Sequence, residues 1–238
     1  MLRADVGPPA TRAHRGIAST PTPAAAPART RPKARPRSGW LAITGLLLLS
    51  ALPVLGGAFR LGELAGQNAL LDRSPVPLIA HVVAMSAFCL IGAFQFSPAL
   101  RTRRAWHRTA GRALIPAGFV AALSGIWLAV FFGGTAEEFA MAMVRLVFGV
   151  AMAGSLVLGA SATRRRDFAS HGAWLTRAYA IAVSGGTQAL VVALWTIPVG
   201  EVDASGETLL VSAGFLINSV VAEVIIARRA RASRALVS

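Results

Sequence analysis

Charge is what this sequence has least of. Only 14% of its 238 residues are Asp, Glu, Lys or Arg, while 55% are hydrophobic, and a water-soluble fold carries charge at roughly a quarter of its positions. The mean hydropathy of +0.59 agrees, so lipid is the solvent for most of the chain. Lysine is almost missing: Lys33 is the one lysine among 24 basic residues. With the abundant alanine, this arginine bias marks a GC-rich bacterial genome, a statement about codon supply rather than function. A single cysteine, Cys89, excludes an intrachain disulfide and a Cys-based zinc site. It sits in an apolar run and reads as a small core side chain. No HExxH, no phosphate-binding glycine loop and no nucleophile–base pair is present, which weighs against an enzyme.

What is present is a series of long apolar runs. Residues 1–38, rich in Ala, Pro, Arg and Thr, show no apolar periodicity and read as a disordered basic arm. Six stretches follow at 40–59, 76–96, 112–132, 139–162, 173–199 and 208–227, each long enough at 1.5 Å per residue to cross roughly 30 Å of hydrocarbon. The expected fold is therefore all-α: a polytopic bundle of six transmembrane helices over residues 39–228, followed by a basic tail, 229–238. The first run is too long for a signal-peptide core and lacks a clean small-x-small cleavage site before Arg60, so it reads as an uncleaved signal anchor.

The formal net charge of +14 raises the question of a nucleic-acid partner, but the basic residues follow topology. Apart from Arg60, Arg73, Arg145 and Arg177, all of them lie in the arm, the second and fourth connections and the C-terminal tail. The opposite connections carry Glu63, Asp72, Glu137, Glu138, Glu201, Asp203 and Glu207. Retained positive charge marks the cytoplasmic side, which places both termini in the cytoplasm. The arm is expected to meet anionic headgroups, and no nucleic-acid partner is expected.

Small residues repeat at every fourth position in the third (Ala117, Ala121, Gly125), fourth (Ala151, Ser155, Gly159) and fifth (Ala178, Ala182, Gly186) spans. Such repeats let helices approach closely in lipid. The later five spans are expected at the centre and the first at the periphery.

Ionisable groups inside hydrocarbon are costly, so each is a functional candidate until a partner explains it. They are His81, Arg145, Arg177 and Glu223, with His107 and His171 at the cytoplasmic entrances of the third and fifth spans. In the second span His81, Met85, Phe88, Gly92 and Gln95 share one helix face. Arg177, Ser184, Gln188 and Trp195 share a face of the fifth, and Ser212, Ser219 and Glu223 a face of the sixth, so these stripes are expected to point inward. Arg177 and Glu223 reach a similar depth on antiparallel helices and are expected to form a structural ion pair. His81 and Arg145 define a weaker outer polar site, unless Arg145 snorkels to Glu137 or Glu138. Gln95, Arg101, His107, Arg108, Arg112, His171, Trp174 and Arg177 converge toward the cytoplasmic half and form the candidate ligand-binding centre. The competing account makes them an interfacial belt of headgroup anchors and helix caps.

Two stretches, QFSPALRTRRAWHRTAGR from Gln95 and DFASHGAWLTRAYA from Asp167, carry a resemblance. Through His81, Gln95-Phe96, Pro98, Arg101, His107-Arg108, Gly111-Arg112, His171, Trp174, Arg177 and Tyr179, residues 76–200 resemble the bacterial membrane proteins grouped as the domain of unknown function 2306 family. The resemblance implies an integral membrane protein and supplies no reaction.

Three functional readings follow. The leading one is a non-catalytic accessory or assembly subunit of the bacterial inner membrane, needing a stable bundle, a recognition face and a membrane-protein partner. The second is a carrier or binding protein for a small anionic molecule or lipid, although no internal repeat is visible and Pro53, Pro116 and Pro198 fall near span ends. The third is a single b-type haem held by His107 and His171; otherwise neither a metal nor a cofactor is expected.

Overall fold

The computed structural model describes residues 39–66, 75–97, 103–132 and 136–235, together with Gly7 and Leu100. The arm expected over 1–38 lies outside these, Gly7 apart, and so does Arg101. Among the described residues there are six α-helices and no strand: α1 (Trp40–Gly66), α2 (Val76–Gln95), α3 (Arg104–Phe132), α4 (Ala136–Arg164), α5 (Phe168–Val199) and α6 (Ala204–Arg234). All six are long and apolar enough to cross a membrane, and all belong to one compact unit, residues 36–238.

The helices outrun the apolar limits read from the sequence. α1 continues to Gly66 instead of ending at Phe59, α3 starts at Arg104 instead of Arg112, and α5 starts at Phe168 instead of Ala173. α6 runs on to Arg234, so the tail expected from residue 229 is helical to that point. Hydropathy marks where lipid stops, whereas backbone hydrogen bonding continues until the chain meets a breaker or a cap. The longer helices also place Pro53 and Pro116 inside α1 and α3, not near span ends.

The α4–α5 turn shows what stops a helix here. The chain leaves α4 through Arg166, whose φ of 59° is left-handed. The Asp167 amide donates to the Ala162 carbonyl at 2.9 Å and the Arg166 amide to the Thr163 carbonyl at 3.0 Å, a Schellman closure in which glycine is the usual residue. Asp167 then caps α5 by accepting from the Ser170 amide at 3.0 Å. Asp203 caps α6 in the same way through the Gly206 amide at 2.8 Å.

α2, α3, α4 and α5 form a ring in which each helix packs on the next and α2 closes on α5. α1 lies over the α2–α5 seam and α6 over the α4–α5 seam. The central body is thus four helices rather than five, and both outer helices rest on α5. Lipid tails are as apolar as leucine, so association in the membrane depends on close packing and interhelical hydrogen bonds. A Cβ at Gly186 would collide with the Leu49 carbonyl of α1, and one at Gly214 would stand 2.9 Å from the Gln188 backbone nitrogen of α5. Tyr179 fills the ring interior: its hydroxyl donates to the Cys89 carbonyl at 2.7 Å, and its ring lies 4.7 Å from Phe96 and 6.0 Å from Phe88. Between α5 and α6, Thr187 donates to Asn218 Oδ1 at 2.9 Å, and Asn218 Nδ2 donates to the Ala180 carbonyl at 3.1 Å.

Candidate functional site

Because α6 rests over the α4–α5 seam, the three helices line an open groove. α4 presents Ala151, Gly154 and Ser155 there, and these short side chains leave a cavity of about 350 Å³, within the roughly 300–1,000 Å³ range of small-molecule sites. At one end Phe148 of α4 stacks on Phe215 of α6, with ring centroids 4.2 Å apart and planes 5° apart. At the other end stand Trp174, Arg177 and Glu223. The small-residue repeat of α4 therefore divides. Gly159 is a packing contact, where a Cβ would strike Leu175 of α5, while Ala151 and Ser155 line the groove.

Arg177 and Glu223 meet as a bidentate pair, Nε to Oε1 at 2.6 Å and Nη2 to Oε2 at 2.9 Å. The guanidinium lies over the Trp174 ring, 4.4 Å from its centroid. One residue before Arg177, Thr176 accepts from Arg229 Nη1 at 3.3 Å. The pair is not sealed in the bundle: the side chains keep 29% and 55% of their exposure. Each carboxylate oxygen receives one donor and retains further lone-pair capacity, and Nη1 of Arg177 is not engaged in the pair. Donors and acceptors are therefore presented side by side to whatever enters the groove.

The other candidate residues are distributed around the same end of the bundle. His171 ties α5 to α4: its Nδ1 lies 2.8 Å from the Gly159 carbonyl and 2.7 Å from Thr163 Oγ1. A carbonyl only accepts, so Nδ1 carries a hydrogen. His107 lies in the first turn of α3, its amide donating to the Arg103 carbonyl at 3.1 Å, and its Nδ1 is buried. Arg108 and Arg112 are exposed. Both amide atoms of Gln95 are buried without a hydrogen-bond partner among the described residues. α3 and α5 occupy opposite corners of the ring, so His107, Arg108 and Arg112 stand apart from His171, Trp174 and Arg177. Among the described residues no group of three or more His, Cys, Asp and Glu could hold a metal ion.

Toward the opposite end, His81 Nδ1 donates to the Ala121 carbonyl of α3 at 2.9 Å, with Ser124 Oγ at 3.4 Å. Gly125 leaves room for the ring, since a Cβ there would stand 3.0 Å from His81 Cε1. Arg145 is exposed on α4. The stripe of α5 does not face inward throughout, since Trp195 is exposed, while on α6 the half-buried Ser212 and Ser219 bond to carbonyls of their own helix at 2.7 and 2.8 Å and Ser219 lines the groove. Of the ionisable groups outside the spans, Asp167 holds its proton less tightly than an ordinary aspartate, because the hydroxyl and amide of Ser170 stabilise its carboxylate.

Sequence reasoning passed over Asn218 and Thr187. Asn218 was detectable as an amide within an apolar span, a position that calls for an interhelical partner. The groove walls at Phe148 and Ser155 carried no such signal.

No curated protein and no solved structure matches the chain. Residues 78–226, which take in nearly all of α2 and the length of the chain to within α6, match the family described as Predicted membrane protein (DUF2306). The match leaves α1 outside and includes every helix that lines the groove, and the chain belongs to that family of multi-pass membrane proteins.

Proposed function

We propose that the protein is a non-catalytic accessory subunit of the bacterial inner membrane, with both termini in the cytoplasm, that holds one membrane amphiphile with a charged head in the α4–α5–α6 groove. One observation carries this reading: a bidentate Arg177–Glu223 pair stands half-open at the end of an apolar groove. Charge facing hydrocarbon costs several kcal/mol per group, on the order of 2.5–3.5 by insertion scales, so an open pair at the groove calls for a polar cover. A lipid-like molecule supplies that cover with its head and fills the apolar walls with its tail. Several of the remaining intramembrane polar groups already have structural work. His81 holds α3, Tyr179 holds α2, and Thr187 holds Asn218, which fits a rigid holder better than a carrier with moving helices.

The orientation follows the arginine-rich connections, and anionic headgroups receive the basic arm and the arginines at the end of α6. The test is native mass spectrometry of the protein released from detergent. Gly154→Phe puts a ring into the groove from a position where an added Cβ meets nothing within 4 Å, and a thermal melt matching the parent's checks that the bundle is intact. The parent should retain one lipid and the variant none. Equal retention by both would overturn the groove as a binding site.

A further inference from the structure

Resting on the groove reading above, the charges at the mouth of the groove specify its occupant further. We infer that the groove selects a zwitterionic phospholipid bearing a primary ammonium, with Glu223 receiving the ammonium and Arg177 the phosphate. Glu223 is the more open member, 55% exposed against 29% for Arg177, and an acceptor-only carboxylate is met by a cation that donates hydrogen bonds. Arg177 keeps Nη1 outside the ion pair, and a guanidinium matches phosphate geometry. An anionic lipid lacking the ammonium could set its phosphate on Arg177 but would leave Glu223 without a cation and bring net negative charge beside it. A neutral lipid would leave both charges uncovered.

The aromatic residues narrow the choice between ammonium types. Recognition of a quaternary ammonium relies on open aromatic faces. Here the aromatic ring beside the pair, Trp174, has one face covered by the Arg177 guanidinium. Among the described residues lining that end, Trp174 is the one aromatic side chain, which falls short of a cage for a trimethylated head, whereas a primary ammonium needs only the carboxylate. Depth is consistent with a headgroup: Arg229 reaches Thr176, the neighbour of Arg177, and Trp174 belongs to the residue type enriched at the membrane interface.

The experiment compares phosphatidylethanolamine, phosphatidylcholine and phosphatidylglycerol of identical chains, each offered in nanodiscs, with bound lipid counted by native mass spectrometry. Phosphatidylethanolamine should be retained on the order of tenfold over the other two, the discrimination expected from one or two charge-assisted hydrogen bonds. Glu223→Gln should flatten the preference. The double exchange Arg177→Glu with Glu223→Arg keeps an ion pair for folding and should flatten it as well. Retention of the three lipids to equal extents, still abolished by Gly154→Phe, would overturn the headgroup assignment while leaving the groove reading in place. Retention that survives Gly154→Phe would overturn the groove reading itself.

Discussion

Replacing Gly92 with alanine should weaken the bundle although alanine is the better helix former. In a helix interior the exchange by itself favours alanine by about 1 kcal/mol. In this helix the new Cβ would stand 2.6 Å from Tyr179 Cε2 and 3.0 Å from Cδ2. The ring has little freedom to yield, being tethered by its hydroxyl to the Cys89 carbonyl at 2.7 Å and packed by Phe96 at 4.7 Å. Overpacking of this kind costs about 1–3 kcal/mol, and a ring that does move gives up a hydrogen bond worth about 1 kcal/mol. The net expectation is a loss of about 1–2 kcal/mol, which at this chain length lowers the melting temperature by about 2–4 °C per kcal/mol. A thermal melt in detergent reads it. In a Tyr179→Leu background the same exchange should be neutral or stabilising, and the double-mutant cycle isolates the clash from other effects. A Gly92→Ala protein that melts at or above the parent would refute the reasoning.

Arg166→Gly should raise stability by about 1 kcal/mol, since it removes the left-handed penalty at a Schellman position; a melting temperature at or below the parent's would contradict this. Asp167 has a lowered folded pKa, so its contribution is complete above the ordinary aspartate range and is lost as pH falls through the folded value. Asp167→Asn, which also caps, should match the parent near neutrality and lose less stability in acid, as acid melts will show. In a Cys89→Ser background, cysteines at Glu137 and Asp203 should be labelled by an impermeant reagent from outside the cell, and those at Arg103 and Arg165 should not. The reverse pattern would overturn the orientation.

The number of spans was legible because each apolar run is long and the breaks between runs are polar. Helix ends were not, since arginine is both a good helix former and a strong hydropathy break: residues 104–112 and 228–234 look like connections and are helical. The depth of Arg177 and Glu223 could be counted along two antiparallel helices. The groove beside them could not, because its walls are Ala151, Gly154, Ser155 and Phe148, residues that spell ordinary packing in any apolar span. Whether a small residue admits a neighbouring helix, as at Gly159, or leaves a cavity, as at Gly154, depends on where α6 lies. That placement is set by the Gly214–Gln188 approach and the Asn218 bonds, contacts between residues distant in the chain. His107 and His171 both lie in the first turn of a helix, yet only the ring order of α2 to α5 reveals that they stand on opposite corners.

Photo-crosslinking with a phosphatidylethanolamine that carries a diazirine in its acyl chain tests the central claim most directly, because it reports where on the protein the lipid sits. In nanodiscs the adducts should concentrate on peptides containing Phe148 to Leu158 of α4 and Phe215 to Glu223 of α6, and Gly154→Phe should remove them. Labelling of Trp127 and Phe131, which are exposed on α3, as heavily as the groove helices would show that lipid merely surrounds the bundle and would contradict the account.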